Sequence, residues 1–334
     1  PVTSRRVLWL AIAAILVIGG AVYLSSQRHL DRATLAGDRV LPGLSQEVNA
    51  VTEVRLSKSD GSRVTLRKRA ADWIVAEREY RADSGRIRKL LLDLAALEVL
   101  EEKTRSPESY SRLGVEDIVA PQGTGTLVEV IAPKQSFTLI VGKPAGTKSS
   151  YVRVPQTEQS LLAKPQLNLE PDSQRWIDRT LLDIPQDRIR EVSIHPPGGL
   201  EYTVTRAARD QTDFAVTGVP KGRALSGPSA ANGAATALAS LMLDDVRRVP
   251  KEVVDPRTLT TAKFLTFDGL ALEVSGRKDG ERHYLTARAE SSAKETAAEA
   301  DSLNARLAGW EFEIPGYKYD AIFRPLEELL TKSS

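Results

Sequence analysis

Residues 51–75 read VTEVRLSKSDGSRVTLRKRAADWIV, and this stretch decides the fold class. Val51, Glu53 and Arg55 point one way and Thr52, Val54 and Leu56 the other, the period-two alternation of a strand with one buried face. Asp60-Gly61 marks a tight turn, glycine supplying a left-handed backbone without steric cost. Residues 63–67 resume the alternation and 72–75 add a third run, so a three-stranded meander is expected. Asp83 or Ser84 then caps a helix on which Ile87, Leu90, Leu91, Leu94 and Leu97 recur at three and four.

Working outward, residues 126–131 and 137–141 flank a turn at Pro133, 151–154 add a strand, and 170–176 a short helix. The pattern then restarts. Ile189-Arg190-Glu191-Val192 echoes Val51-Thr52-Glu53-Val54, Gly198-Gly199 echoes Asp60-Gly61, and Phe214 echoes Trp73. A helix over 234–246 echoes the Leu-rich helix, and 263–267, 270–275 and 283–287 read as strands. The order of elements matches throughout, which predicts an internal duplication. Residues 45–176 form a first α+β module and 177–334 a second, each of antiparallel strands with an amphipathic helix. Residues 288–305, rich in Ala, Ser and Glu, are a helix or a mobile insert.

Upstream, residues 7–24 read VLWLAIAAILVIGGAVYL without a charge. At helical rise this spans about 27 Å, close to a bilayer's hydrocarbon core. The run from Val7 through Leu16 to Leu24 is therefore expected to be a transmembrane helix. Trp9 and Tyr23 stand near its ends, where amphipathic rings favour the interface. Gly19 and Gly20 permit close approach of another helix. Residues 1–6, with Arg5 and Arg6, are expected to stay in the cytoplasm, and 25–44 to form a stalk. The expected location is the bacterial inner membrane, single-pass, with the C-terminal bulk periplasmic. A cleaved signal is the alternative, but the run is long for one, and Ala21-Val22-Tyr23 is a poor cleavage site.

Composition narrows function. Lys and Arg number 46 against 44 Asp and Glu, a balance that argues against a dedicated nucleic-acid binder. The chain has no cysteine, which removes disulfides, thiolate nucleophiles and a lipid-modified cysteine anchor. His29, His195 and His283 lack metal-ligand spacing. Gly142-Lys143-Pro144-Ala145-Gly146-Thr147-Lys148-Ser149 comes near a phosphate loop, but Thr147 separates the second Gly from its Lys and a strand follows. The acidic pairs Glu101-Glu102 and Asp244-Asp245 read as solvated helix ends rather than acid–base or metal sites. Trp73, Trp176 and Trp310 read as core residues. Near the C-terminus, Trp310, Phe312 and Tyr317 are candidate partner contacts. No catalytic residue, metal ligand or cofactor is expected.

One set of landmarks is shared with a known family. Trp73 and the Leu-rich helix are followed by Tyr110-Ser111-Arg112-Leu113-Gly114-Val115, then Leu139-Ile140-Val141-Gly142-Lys143 and Tyr151-Val152-Arg153. Trp176-Ile177-Asp178-Arg179-Thr180-Leu181-Leu182-Asp183 then leads into the strand near Ile189. In these the chain resembles the DUF4340 family, from about residue 45 to the C-terminus. The resemblance implies no catalytic residue. It implies an accessory component of a gliding-motility-type ABC transport system, whose permease and cytoplasmic ATPase are separate chains. The alternative is a stand-alone anchored module that binds an envelope glycan or lipid.

Overall fold

In the computed structural model, which describes residues 36–120, 122–250 and 255–331, the stretch that opens the sequence reading forms its three strands. The strands run β1 (Glu53–Ser57), β2 (Arg63–Arg69), β3 (Asp72–Val75) and β4 (Tyr80–Arg81). Helix α1 (Leu44–Glu47) precedes them and α2 (Ser84–Ala96) follows. Next come β5 (Glu98–Glu102), α3 (Tyr110–Leu113), β6 (Thr126–Ile131), β7 (Ser136–Ala145), β8 (Ser149–Arg153) and β9 (Ser160–Lys164). The second half holds β10 (Thr180–Leu182), β11 (Ile189–His195), β12 (Tyr202–Thr205), β13 (Ala215–Thr217), α4 (Asn232–Thr236), β14 (Leu241–Met242) and β15 (Asp245–Arg248). It closes with β16 (Thr260–Thr266), β17 (Leu270–Asp279), β18 (Arg282–Ser291), α5 (Lys294–Leu307), β19 (Trp310–Glu313) and α6 (Gly316–Ile322). The class is α+β, dominated by antiparallel sheet.

The chain falls into two units that interleave in sequence. Unit 1 takes the chain up to Ser62 together with Lys89–Glu170; unit 2 takes Arg63–Arg88 and the chain from Pro171 on. In unit 1 the strand order is β1-β6-β7-β8-β9-β5, every neighbour antiparallel. Its core collects the inward residues that alternation assigns, among them Val54, Leu56, Val128, Val130, Leu139, Val152 and Ala163, with Leu91 and Leu94 from α2. Residues 37–40 run beside β5: Gly37 N donates to Val99 O at 2.8 Å and Val40 N to Leu97 O at 2.9 Å. Val40, Leu41 and Leu44 are buried there.

Unit 2 carries an eight-stranded sheet in the order β13-β12-β11-β16-β17-β18-β19-β15. Helix α5 lies against β18, where Asn304 bonds both the N–H and the carbonyl of Ala289 at 2.8 Å. The β2–β3–β4 meander belongs to the same unit. There Asp83 N donates to Trp176 O at 2.8 Å, and Tyr80 meets the Trp310 ring edge-on with centroids 5.1 Å apart. Asp83 caps α2 as expected, its carboxylate accepting from Arg86 N at 2.9 Å.

Three local expectations change and one open reading is decided. The helix over 234–246 is only α4, ending at Thr236. Leu238, Leu241 and Met242 suit helical spacing, but Leu241 and Leu243 are buried on either side of an exposed Met242, which is the strand period. Asp183 secures the turn by accepting from Ser240 N at 2.8 Å. The acidic pairs accordingly sit on or beside strands, Glu101-Glu102 on β5 and Asp244-Asp245 at the start of β15. Residues 170–176 hold a single 3-10 turn, Ser173–Arg175, and of 288–305 the part from Lys294 is the ordered helix α5. The expected transmembrane run, Val7 to Leu24, lies outside the described residues. Among those described, no helix is long and apolar enough to cross a membrane.

Candidate functional site

Three of the family landmarks, residues 110–115, 139–143 and 151–153, converge in unit 1. Tyr110, Val115 and Ile140 form a buried cluster against which Leu113, Leu127 and Tyr151 pack. Arg153, only 3 % exposed, crosses the Tyr110 ring with its Cζ 4.5 Å from the centroid. Its guanidinium donates to the carbonyls of Val115 (2.8 Å), Pro155 (3.2 Å) and Thr157 (3.2 Å) and to Asp117 Oδ1 (2.6 Å). Tyr110 Oη donates to Glu158 O at 2.5 Å, and burial raises its pKa above the ordinary tyrosine value. Lys143 donates to the carbonyls of Ser111 (3.1 Å) and Arg112 (3.2 Å) at the end of α3, the orphan acceptors that a helix C-terminus leaves. Gly142 lets that turn come close: a Cβ there would stand 2.3 Å from the Leu113 carbonyl. The donors are thus turned inward onto loop carbonyls, and the cluster ties three loops together.

The second concentration of charge lies on one face of unit 2. Glu311, 4 % exposed, stands on β19 directly opposite Arg247 on β15. Its Oε2 accepts from Arg247 Nε at 2.7 Å and Arg277 Nη2 at 3.0 Å, and its Oε1 from Arg277 Nε at 2.7 Å. Both guanidinium groups also cover Tyr284, at 4.0 and 4.7 Å from its centroid. Burial pushes the Glu311 pKa up, but the two arginines more than reverse it, so the carboxyl stays below its usual range. Beside this pair is a cavity of about 230 Å³ lined by Arg78, Asp245, Arg282, Tyr284 and Glu313 among others. Asp245 and Glu313 face each other in register, a like-charge pair that costs stability alone. Each has an arginine, Arg78 at 3.1 Å from Asp245 and Arg282 at 3.9 Å from Glu313. A carboxylate held ionised by two arginines holds no proton to give as a general acid at neutral pH. The arrangement is suited to fixing β15 against β19 and β17.

A family model described as a domain of unknown function (DUF4340) matches residues 73–263, more than half of the chain. The chain belongs to the DUF4340 family. No curated protein and no solved structure matches it. The match begins in β3 and ends in β16, so it takes in the whole Tyr110–Arg153 cluster and Arg247 but not Glu311.

Elsewhere in this DUF4340 protein the residues singled out from sequence are dispersed. His195 is exposed at the end of β11 with Nε2 3.9 Å from Glu201. His283 lies on β18 with its ring 5.0 Å from that of Tyr319. Among the described residues no group of three or more His, Asp or Glu is arranged to hold a metal. Residues 142–149 form the end of β7, a turn with Gly146 at φ +68°, and the start of β8. Trp310 is 8 % exposed under the Arg248 guanidinium, whose Cζ is 3.8 Å from its ring, and Phe312 is fully buried. Tyr317 presents its ring to solvent at 72 % exposure. The anchor residues Val7, Trp9, Leu16, Gly19, Gly20, Tyr23 and Leu24 lie outside the described residues. Reading the sequence missed Arg153 and Glu311 as centres. The available signal was an ionisable residue flanked by apolar ones, Val152-Arg153-Val154 and Trp310-Glu311-Phe312.

Proposed function

We propose that this chain is a non-enzymatic accessory subunit of an ABC-type transport complex, held in the bacterial inner membrane by residues 7–24 with its folded bulk in the periplasm. The observation that carries the reading is how charge is used. Among the described residues the most buried charged side chains, Arg153 and Glu311, are turned onto carbonyls and guanidinium groups of the same unit. Such pairing stiffens sheets and leaves side chains unavailable for proton transfer, which suits a scaffold. The uncharged run at 7–24 fits the anchor, and the transport role is what the resemblance to DUF4340 proteins implies. In this role the permease and, through it, a cytoplasmic ATPase are the partners.

We further infer that the two sheets descend from one duplicated unit. The six strands β1-β6-β7-β8-β9-β5 and β11-β16-β17-β18-β19-β15 follow the same path through chain and sheet. Affinity purification of the full chain in mild detergent tests the main reading, with a permease and an ATPase expected in the eluate. Recovery of the chain alone, at detergent levels that keep known transporters intact, would overturn it.

A further inference from the structure

We propose that a groove in unit 1 takes the phosphate headgroup of an anionic lipid from the bilayer that holds the chain, an inference that rests on the anchored reading above. The groove has a volume of about 790 Å³, and its charged lining is Arg39, Lys148, Lys164 and a single acid, Glu98. Glu98 accepts from Lys164 at 2.7 Å and lies 3.8 Å from Arg39 Nη1. The lysine hydrogen bond is the chief reason its carboxyl stays below the usual range, so it offsets one positive charge and no more. Arg39 and Lys164 keep about half of their side-chain surface open, 51 % and 50 %. Lys148, at the exposed β7–β8 turn, has no acidic partner among the described residues. The side-chain amides of Gln166 and Asn168 add neutral donors. A surplus of cations beside amide donors matches a phosphodiester, which offers one negative charge and several acceptor oxygens.

Position selects the source. One wall of the groove is the segment 37–40, which pairs with β5: besides the two bonds given above, Val99 N donates to Asp38 O at 2.9 Å. Arg39 follows Leu24, the last residue of the apolar run, by 15 residues. Even at full extension such a length spans only about 50 Å. With residues 7–24 in the bilayer, the groove is tethered within reach of the headgroups. There each lysine or arginine near an anionic surface strengthens attachment several-fold.

The test uses the full chain in an uncharged maltoside detergent. Short-chain phosphatidylglycerol, short-chain phosphatidylcholine and glycerol phosphate are titrated separately, with binding read by native mass spectrometry. Phosphatidylglycerol is expected to bind saturably. Lys148→Ala with Lys164→Ala should weaken it about tenfold or more. Lys148→Glu alone, at an exposed turn, should do the same if the double variant melts early. Phosphatidylglycerol binding that ignores these substitutions, or no binding at all, overturns the groove. Glycerol phosphate bound as tightly as the lipid overturns the lipid assignment. Flotation of the same chain with vesicles reports separately on the anchor. A chain that floats but does not bind phosphatidylglycerol sinks this inference alone, and one that does not float sinks the anchored reading.

Discussion

Replacing Glu311 by Gln keeps the shape of the side chain and removes its charge. In the native protein its two oxygens accept three hydrogen bonds from Arg247 and Arg277. A Gln amide offers one carbonyl and one NH₂, so an N–H donor must face a guanidinium donor on one side. Removing one partner of a buried ion pair costs about 3–5 kcal/mol, because the charge left behind is uncompensated. Arg247 is 40 % exposed and turns to water, whereas Arg277 is 20 % exposed and does so less easily. That relief lowers the expected cost to about 2 kcal/mol. For a unit of this size a loss of 1 kcal/mol moves the melting temperature by about 2–4 °C, so Glu311→Gln should lower it by about 4–8 °C. Tryptophan fluorescence reads this unit once Trp9, in the apolar run, is replaced by Phe. Trp73, Trp176 and Trp310 all belong to unit 2, and unit 1 has none among the described residues. A melting temperature within about 1 °C of the parent would refute the view that Glu311 ties β15 to its neighbours.

Gly142→Ala forces a Cβ to 2.3 Å from the Leu113 carbonyl, a backbone atom that cannot swing aside. It should destabilise unit 1 by about 3 kcal/mol, seen as a lower urea midpoint in far-UV circular dichroism. Gly233, in α4, has open space where a Cβ would go, so Gly233→Ala should be neutral or stabilise by up to about 1 kcal/mol in the fluorescence melt. Glu311 and Asp268 both stay below the ordinary carboxylate values in the fold, Asp268 because Thr266 and Arg188 outweigh its burial. As pH falls through the unfolded carboxylate range, about 4–4.5, the unfolded chain takes up protons first and stability is lost. The fluorescence melting temperature should therefore hold level from pH 8 to about 6 and drop below about 4.5. A level profile down to pH 3 would contradict the lowered values.

Strand existence was legible because burial on one face imposes the period of two, and the meander and the 263–287 strands follow from it; the helix cap at Asp83 was legible instead from a short polar residue ahead of three-and-four apolar spacing. The helix over 234–246 was not legible, since Leu238, Leu241 and Met242 satisfy three-and-four spacing while Leu241 and Leu243 satisfy the strand period. Tertiary pairing of Leu241 and Met242 with β10 decides between them. The charged centres were hidden for a different reason. Glu311 and Arg247 are 64 residues apart in sequence, and nothing local declares that their strands will lie side by side. Arg153 was visible as part of a landmark, but its partners are carbonyls, which every residue carries and no sequence pattern marks.

The strand path shared by the two units gives these ion pairs a common place. In both, a strand that comes after the helix, β5 directly and β15 after the short β14, pairs with the last strand of the following meander, β5 with β9 and β15 with β19. A hairpin turn sets the register of its own strands, but no turn joins these, so their register must come from side chains. In unit 1 Glu98 sits directly opposite Lys164, and their side chains meet at 2.7 Å. In unit 2 Arg247 sits directly opposite Glu311, also at 2.7 Å, with the signs exchanged. Opposite charges in register stabilise a pairing, and a slip of one residue puts the two side chains on opposite faces. Glu98 is half-buried and paired with a lysine that is half open to water, so its contribution is small and the pair lines a groove. Glu311 is buried and held by two arginines, so there the same closing position has become rigid.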